Sequence, residues 1–203
     1  AAPGGDGGNR MIDRPLKLGF AFCGSFCTHD AALTVLSNLA QSGKYTITPI
    51  FSYNTASINT RFGRAADLIE KAEALCGNKA ILTIKDAEPL GPIDPLDVLV
   101  ICPCTGNTLA KLACAITDTP VCMAAKAHLR GDRPLVIALA TNDALSANLR
   151  NIGTLLQRKH IYFVPMRQDN PVKKPHSLIV DFSLVPDAIE AALEDRQLRP
   201  LFL

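Results

Sequence analysis

Residues 97–118, DVLVICPCTGNTLAKLACAITD, hold a strand, a short polar loop and a helix in close succession. Val98-Leu99-Val100-Ile101-Cys102 is an unbroken apolar run between Asp97 and Pro103. Such a run reads as a strand covered by helices on both faces. Pro103 is expected to end it, because proline cannot donate to a sheet ladder. Thr105-Gly106-Asn107-Thr108 then sets two hydroxyls, a carboxamide and a glycine where a helix with Leu109, Leu112, Ala113 and Ile116 on its apolar side begins. Two readings follow: Thr105 or Asn107 caps the helix, or the hydroxyls and free N–H groups form a small polar receptor.

Working outward, residues 17–23 read as a strand, Gly24-Ser25-Phe26-Cys27-Thr28 as a turn, and the chain from a Thr28 or Asp30 cap to about Gln41 as a helix. Residues 45–51 form a second strand, which Pro49 places at an edge or a bulge. A polar loop over 53–60, a helix over 62–76, a short strand over 80–83 and a proline-rich loop over 88–95 lead back to the opening stretch. Thr119-Pro120 starts a helix to Leu129. Residues 134–140 are a buried strand leading to Thr141-Asn142-Asp143, and 145–156 an amphipathic helix. A strand at 161–165, a polar loop over 166–176, a short strand at 177–180 and a helix at 186–196 complete the chain. This alternation predicts an α/β class: a doubly wound, mostly parallel, Rossmann-like sheet with helices on both faces. Ligands are then expected at the carboxyl ends of strands, near a switch in strand order. Four such junctions carry suitable chemistry: Gly24-Ser25, Ser52, the loop from Thr105 to Thr108, and Thr141-Asn142.

The chain has 203 residues, 48% of them hydrophobic and 20% charged, with a formal charge of +2. That balance fits a soluble globular protein and gives no basic track for nucleic acid and no membrane span. Residues 1–14 read as a disordered tail or cloning remnant and 15–203 as one domain. The seven cysteines are odd in number and sit mostly in apolar or helical contexts, as buried thiols do in a reducing compartment. Neither Cys23/Cys27 nor Cys102/Cys104 has metal spacing, and no metal is expected, although Cys23, Cys27 and Cys104 could meet in space.

The first turn, with Gly19 and Gly24, is neither a dinucleotide fingerprint nor a triphosphate loop. A turn bearing Ser25 and free N–H groups suits a single phosphate, so a monophosphate cofactor is favoured. A serine hydrolase fits poorly, since Ser25 lies on no nucleophile elbow.

The segments GFAFCGSFCT, SINTRFG, PCTGNT, ALATNDAL and IYFVPMRQDNPVKKPHS resemble the FMN-binding flavoprotein family, which includes cysteine decarboxylases acting on phosphopantothenoylcysteine and on lantibiotic precursors. The resemblance runs from about Leu16 to Leu198 and implies FMN as the cofactor. The family's phosphate turn matches Cys23-Gly24-Ser25, its polar residue after the second strand matches Ser52, and its flavin loop matches Pro103, Cys104, Thr105, Gly106, Asn107 and Thr108. Its substrate clamp matches Leu139-Ala140-Thr141-Asn142, with Thr141 in place of methionine. The decarboxylases' histidine has no counterpart in Asn59-Thr60-Arg61-Phe62-Gly63, so cysteine decarboxylation is not expected.

Within the family the chain is similar to the B component of a synthase that makes pyridine-2,6-dicarboxylate in the mother cell of a sporulating bacterium. That likeness implies a flavin-dependent oxidoreductase component and a small cyclic dicarboxylate substrate. It also implies a homo-oligomer and a partner, the A component, that supplies NADP or NAD. The alternatives are a non-catalytic binding or assembly role and a flavin-independent dehydratase. Arg61 is the first choice for meeting a substrate carboxylate, Asn142 the second, and Lys126 and Arg130 the third. His29 could move a proton near the first turn. His128, His160 and His176 read as surface or structural residues, His176 on a loop that could fold over the pocket.

Overall fold

The computed structural model describes residues 14–203. β1 (Leu16–Phe22) leads through a 3-10 turn (Phe26–Thr28) into α1 (His29–Gln41) and on to β2 (Tyr45–Phe51). α2 (Tyr53–Ser57), α3 (Ala65–Cys76) and α4 (Ile84–Ala87) precede β3 (Val98–Cys104). α5 (Gly106–Ala113) and α6 (Pro120–Leu129) lead to β4 (Leu135–Thr141), and α7 (Leu149–Leu156) to β5 (Ile161–Phe163). A hairpin of β6 (Met166–Arg167) and β7 (Leu178–Val180), then α8 (Val185–Leu193), follow.

The strands form one sheet in the order β2-β1-β3-β4-β7-β6, with β5 also paired to β4. β1 to β5 run parallel, and β7 is antiparallel to β4 and to β6. The chain steps from β1 to β2 on one side and resumes with β3 on the other, so the switch in strand order lies between β1 and β3. α1 packs with α3 and α8, whereas α4 packs with α6 and α5 with α6 and α7, giving the two helical layers that right-handed crossovers require. This is the doubly wound sheet expected. β3 is buried along its whole length, and Phe22 stacks on Phe51 with ring centroids 4.9 Å apart above the neighbouring strands.

Several elements differ from the sequence expectation for local reasons. β3 does not stop at Pro103 but continues to Cys104, and its register with β4 shifts between Ile101 and Cys104. Proline is tolerated at such an irregularity, where no ladder donor is needed. The strand expected at 80–83 is reduced to a bridge between Ile50 and Ile81, because Thr83 already caps α4 by accepting from the Asp86 N–H. That bridge lies on the outer edge of β2, where Ile81 donates to the Pro49 carbonyl, so the reading of an edge strand holds. Ser52 turns part of the supposed loop at 53–60 into α2 by accepting from the Thr55 N–H at 3.3 Å. α3 begins at Ala65, leaving Phe62 in an exposed turn closed by Thr60 and Gly63. Residues 88–90 form a 3-10 turn within the expected loop.

α7 starts only at Leu149, since the Asp143 carbonyl accepts from the Ser146 and Asn148 N–H groups and holds the preceding residues as turns. Ile116 lies beyond the end of α5 and is exposed rather than inward. The expected tail over 1–14 lies outside the described residues except for Arg14, whose guanidinium makes two hydrogen bonds to Asp97, at 2.8 and 3.1 Å.

Candidate flavin and substrate cleft

At the carboxyl end of β1 the backbone turns tightly and is tied to the end of β3: Cys23 donates its N–H to the Pro103 carbonyl at 3.1 Å. Thr28 closes the turn, its N–H and hydroxyl both donating to the Ser25 carbonyl at 3.0 and 2.8 Å. Among the described residues, the N–H groups of Gly24 and Ser25 and the Ser25 hydroxyl have no protein partner. Three unused donors thus sit on one turn beside the topological switch, where an anion could be received. Beneath it the Thr108 hydroxyl donates to Cys23 Sγ at 3.3 Å. Burial pushes the Cys23 thiol up to about 12, so it stays neutral.

Thr105 is the cap of α5: its Oγ1 accepts from the Thr108 N–H at 3.1 Å. Asn107, one turn position later, is exposed and its carboxamide has no protein partner among the described residues. The capping reading is realised on Thr105.

Facing α5 is a chain of polar side chains after β4. Thr141 Oγ1 donates to Asp143 Oδ1 at 2.6 Å, Asn148 donates to Asp143 Oδ2 at 2.9 Å, and Asn151 donates to Asn148 Oδ1 at 2.8 Å. Gly106 makes this approach possible. A Cβ there would stand 2.7 Å from Thr141 Oγ1, Asp143 Oδ1 and Asn148 Nδ2. Its small size serves the protein's own network.

Between the first turn, Thr105 and the Thr141-Asn142 junction lies a cleft of about 380 Å³ whose far wall is the β6–β7 hairpin. Ala140, Leu178 and Ile179 give it an apolar side, and Ser25, Thr28, Thr105, Thr141 and Asn142 a polar one. Lys174 and Asp169 also line it, with Nζ 2.9 Å from Oδ2. Their hydrogen bond raises the Lys174 pKa and lowers that of Asp169, so both stay charged over the neutral range.

Of the expected site residues, the cleft brings together Ser25, Thr105, Thr141 and Asn142. Gly24 adjoins it through the turn, and Pro103, Gly106 and Thr108 support it from beneath. The others are placed elsewhere, among them Asn107, which is exposed on α5 and does not line the cleft. Ser52 is buried as the cap of α2. His29 is buried with Nε2–H donating to the Cys23 carbonyl at 2.7 Å, and burial lowers its pKa. It braces the turn from behind and does not line the cleft. Arg61 lies on the Thr60–Gly63 turn with its guanidinium 4.8 Å from the Phe62 ring centroid, outside the cleft of this chain. Lys126 is on α6 and Arg130 directly follows it, and neither lines the cleft. Cys27 is exposed while Cys23 and Cys104 are buried, and the described residues form no metal-binding group. Lys174 and Asp169 were not legible as site residues; the one signal was a polar, lysine-bearing loop with prolines on both sides.

The chain matches the Flavoprotein family over residues 9–193. It belongs to that family. This flavoprotein is 46% identical over 187 residues, covering 92% of its length and 93% of the relative, to the B subunit of dipicolinate synthase from Bacillus subtilis (strain 168). The crystal structure of the B subunit of dipicolinate synthase from Bacillus halodurans superposes with a TM-score of 0.86 at 39% identity, covering 94% of this chain and 97% of that one. The FMN-dependent cysteine decarboxylase SpaF superposes at 0.65 with 25% identity, over 89% and 97% of the two chains.

Proposed function

We propose that this chain is the FMN-binding B subunit of a dipicolinate synthase, converting a cyclic dihydro- or hydroxytetrahydrodipicolinate to pyridine-2,6-dicarboxylate. Its partner would be the dipicolinate synthase A subunit, acting with NADP or NAD, and its working form a homo-oligomer in the cytoplasm of a sporulating mother cell. The observation that carries this is the likeness to the Bacillus subtilis protein over 92% of the chain, running through every junction that lines the cleft.

The residues present fit a flavin monophosphate: the unused donors of Gly24 and Ser25 suit one phosphate, and the hydroxyls of Thr105 and Thr141 with Ala140 suit a polar-edged planar ring. Bound flavin supplies a two-electron acceptor for aromatising a ring. Asn142 donates from the rim to a substrate carboxylate, and the apolar wall of Leu178 and Ile179 keeps water from the ring. One observation favours an assembly role instead, namely that the first residue of the turn, Cys23, is a buried neutral thiol whose Sγ accepts from Thr108 and offers a phosphate no hydroxyl.

Two measurements decide. Purified protein is expected to carry, or take up on addition of FMN, the flavin bands in the blue and near ultraviolet. Cys27 is an exposed free thiol on the cleft, and Cys114 an exposed free thiol away from it. FMN at about ten times its Kd is expected to slow alkylation of Cys27 roughly tenfold and leave Cys114 unchanged. Colourless protein with equal Cys27 rates would overturn the flavin assignment and leave the assembly reading.

A further inference from the structure

The flavin phosphate would have donors of its own in the Gly24-Ser25 turn, which leaves the cation of the cleft, paired with Asp169, without an assigned ligand. Lys174 is the one cationic side chain among the described residues that line the cleft. An ammonium group carries three donors, and Asp169 takes one of them.

The loop that presents Lys174 is closely braced. The Lys174 N–H donates to the Asn170 carbonyl at 2.7 Å, the Lys173 N–H to Asn170 Oδ1 at 2.9 Å, and the Gln168 carboxamide to the Pro175 carbonyl at 3.0 Å. Leu145 donates to the His176 carbonyl at 2.9 Å, tying the loop to the segment after Thr141. Just beyond, Leu178 of β7 pairs with Thr141 of β4, so the lysine loop and the Thr141-Asn142 junction belong to one hydrogen-bonded frame. A long flexible side chain held by a carboxylate on a fixed loop loses less freedom on meeting a ligand than a free one does.

We infer that Lys174, aimed by Asp169, is the group that binds a carboxylate of the cyclic dicarboxylate substrate, in the place the sequence suggested for Arg61. The inference rests on the proposed function for the substrate class. Its geometry, a lysine–aspartate pair lining the same cleft as Asn142, is independent of flavin.

The test uses the full chain without added flavin, in metal-free buffer, titrated calorimetrically with pyridine-2,6-dicarboxylate. A parallel titration uses FMN. Lys174→Gln is expected to weaken dicarboxylate binding about 10- to 100-fold, the effect of losing one charge-assisted contact. Lys174→Arg should retain most of the affinity, and FMN affinity should stay within about twofold in both variants. Lys173→Gln removes the same charge one residue away on a side chain outside the cleft, and should change neither titration. Added salt should weaken wild-type binding more than the residual binding of Lys174→Gln.

Dicarboxylate affinity in Lys174→Gln within about twofold of wild type would overturn the inference. So would loss of FMN affinity with dicarboxylate binding intact, since the lysine would then serve the phosphate. Absence of dicarboxylate binding by the wild-type chain would overturn it as well. Failure of the wild-type chain to bind FMN counts against the flavin assignment alone, because the dicarboxylate arm is run without it.

Discussion

Gly106→Ala is expected to destabilise the protein by about 2–4 kcal/mol, through overpacking and the breaking of a satisfied polar network. The new methyl would meet three polar atoms at 2.7 Å. Those atoms are ends of side chains, but they are bonded to one another through Asp143, so none can withdraw without giving up a hydrogen bond. For a chain of this size the cost corresponds to a melting temperature lower by roughly 4–16 °C. FMN affinity should fall too, because Thr141 and the start of α5 move together.

Gly153→Ala is the control. Gly153 lies inside α7, a Cβ there would find nothing within 4 Å, and alanine should add about 0.5–1 kcal/mol of stability. Equal melting shifts for the two variants, measured by calorimetry, would refute the close-approach role of Gly106.

The second large effect is loss of stability in acid through His128. Its ring is buried on α6, Nε2–H donates to the Pro134 carbonyl at 2.7 Å, and Nδ1 has no partner among the described residues. Burial lowers its pKa to about 4, against the pull of that carbonyl. The unfolded chain takes up the proton near the ordinary imidazole value of about 6.5, while the folded one resists it. The resulting stability is therefore complete above pH 6.5 and is lost as pH falls toward 4, to the extent of about 3 kcal/mol.

Burial also lowers His29, so the wild-type slope in this window contains both rings. Denaturant unfolding of His128→Gln between pH 7 and 4 should show a shallower slope than wild type. An unchanged slope would mean that His128 is already charged in the fold or that water reaches it.

Much of the framework could be read from local signals. β3 is a continuous apolar run, β2 has Pro49 at an edge, and α6 has Thr119 as its cap with Pro120 in its first turn. Each of these decides its own structure within a few residues. The strand-end junctions were legible for the same reason, since their position follows from the alternation of strand and helix.

What was not legible depends on distant pairing. β6 and β7 are two and three residues long, too short for a periodic pattern, and their antiparallel return is set by β4 rather than by their own sequence. Lys174 therefore read as one surface lysine among several. Arg61 lies outside the cleft of this chain: Ser52 diverts the chain into α2, and the arginine sits on the turn that follows, over the Phe62 ring. Gly106 was legible only as part of a polar loop, and the close approach of Asp143 and its partners to it comes from the fold.

β4 is hydrogen-bonded along Leu135, Val136 and Ile137 to β5, and then at Ala140 and Thr141 to β7. The hydroxyl-bearing rim and the hairpin that carries the lysine are thus adjacent rungs of a single ladder, with backbones held about 4.5–5.5 Å apart. A ligand seated on Thr141 or Asn142 therefore bears on the same frame that presents the lysine, and the two are held in register by backbone rather than by side chains.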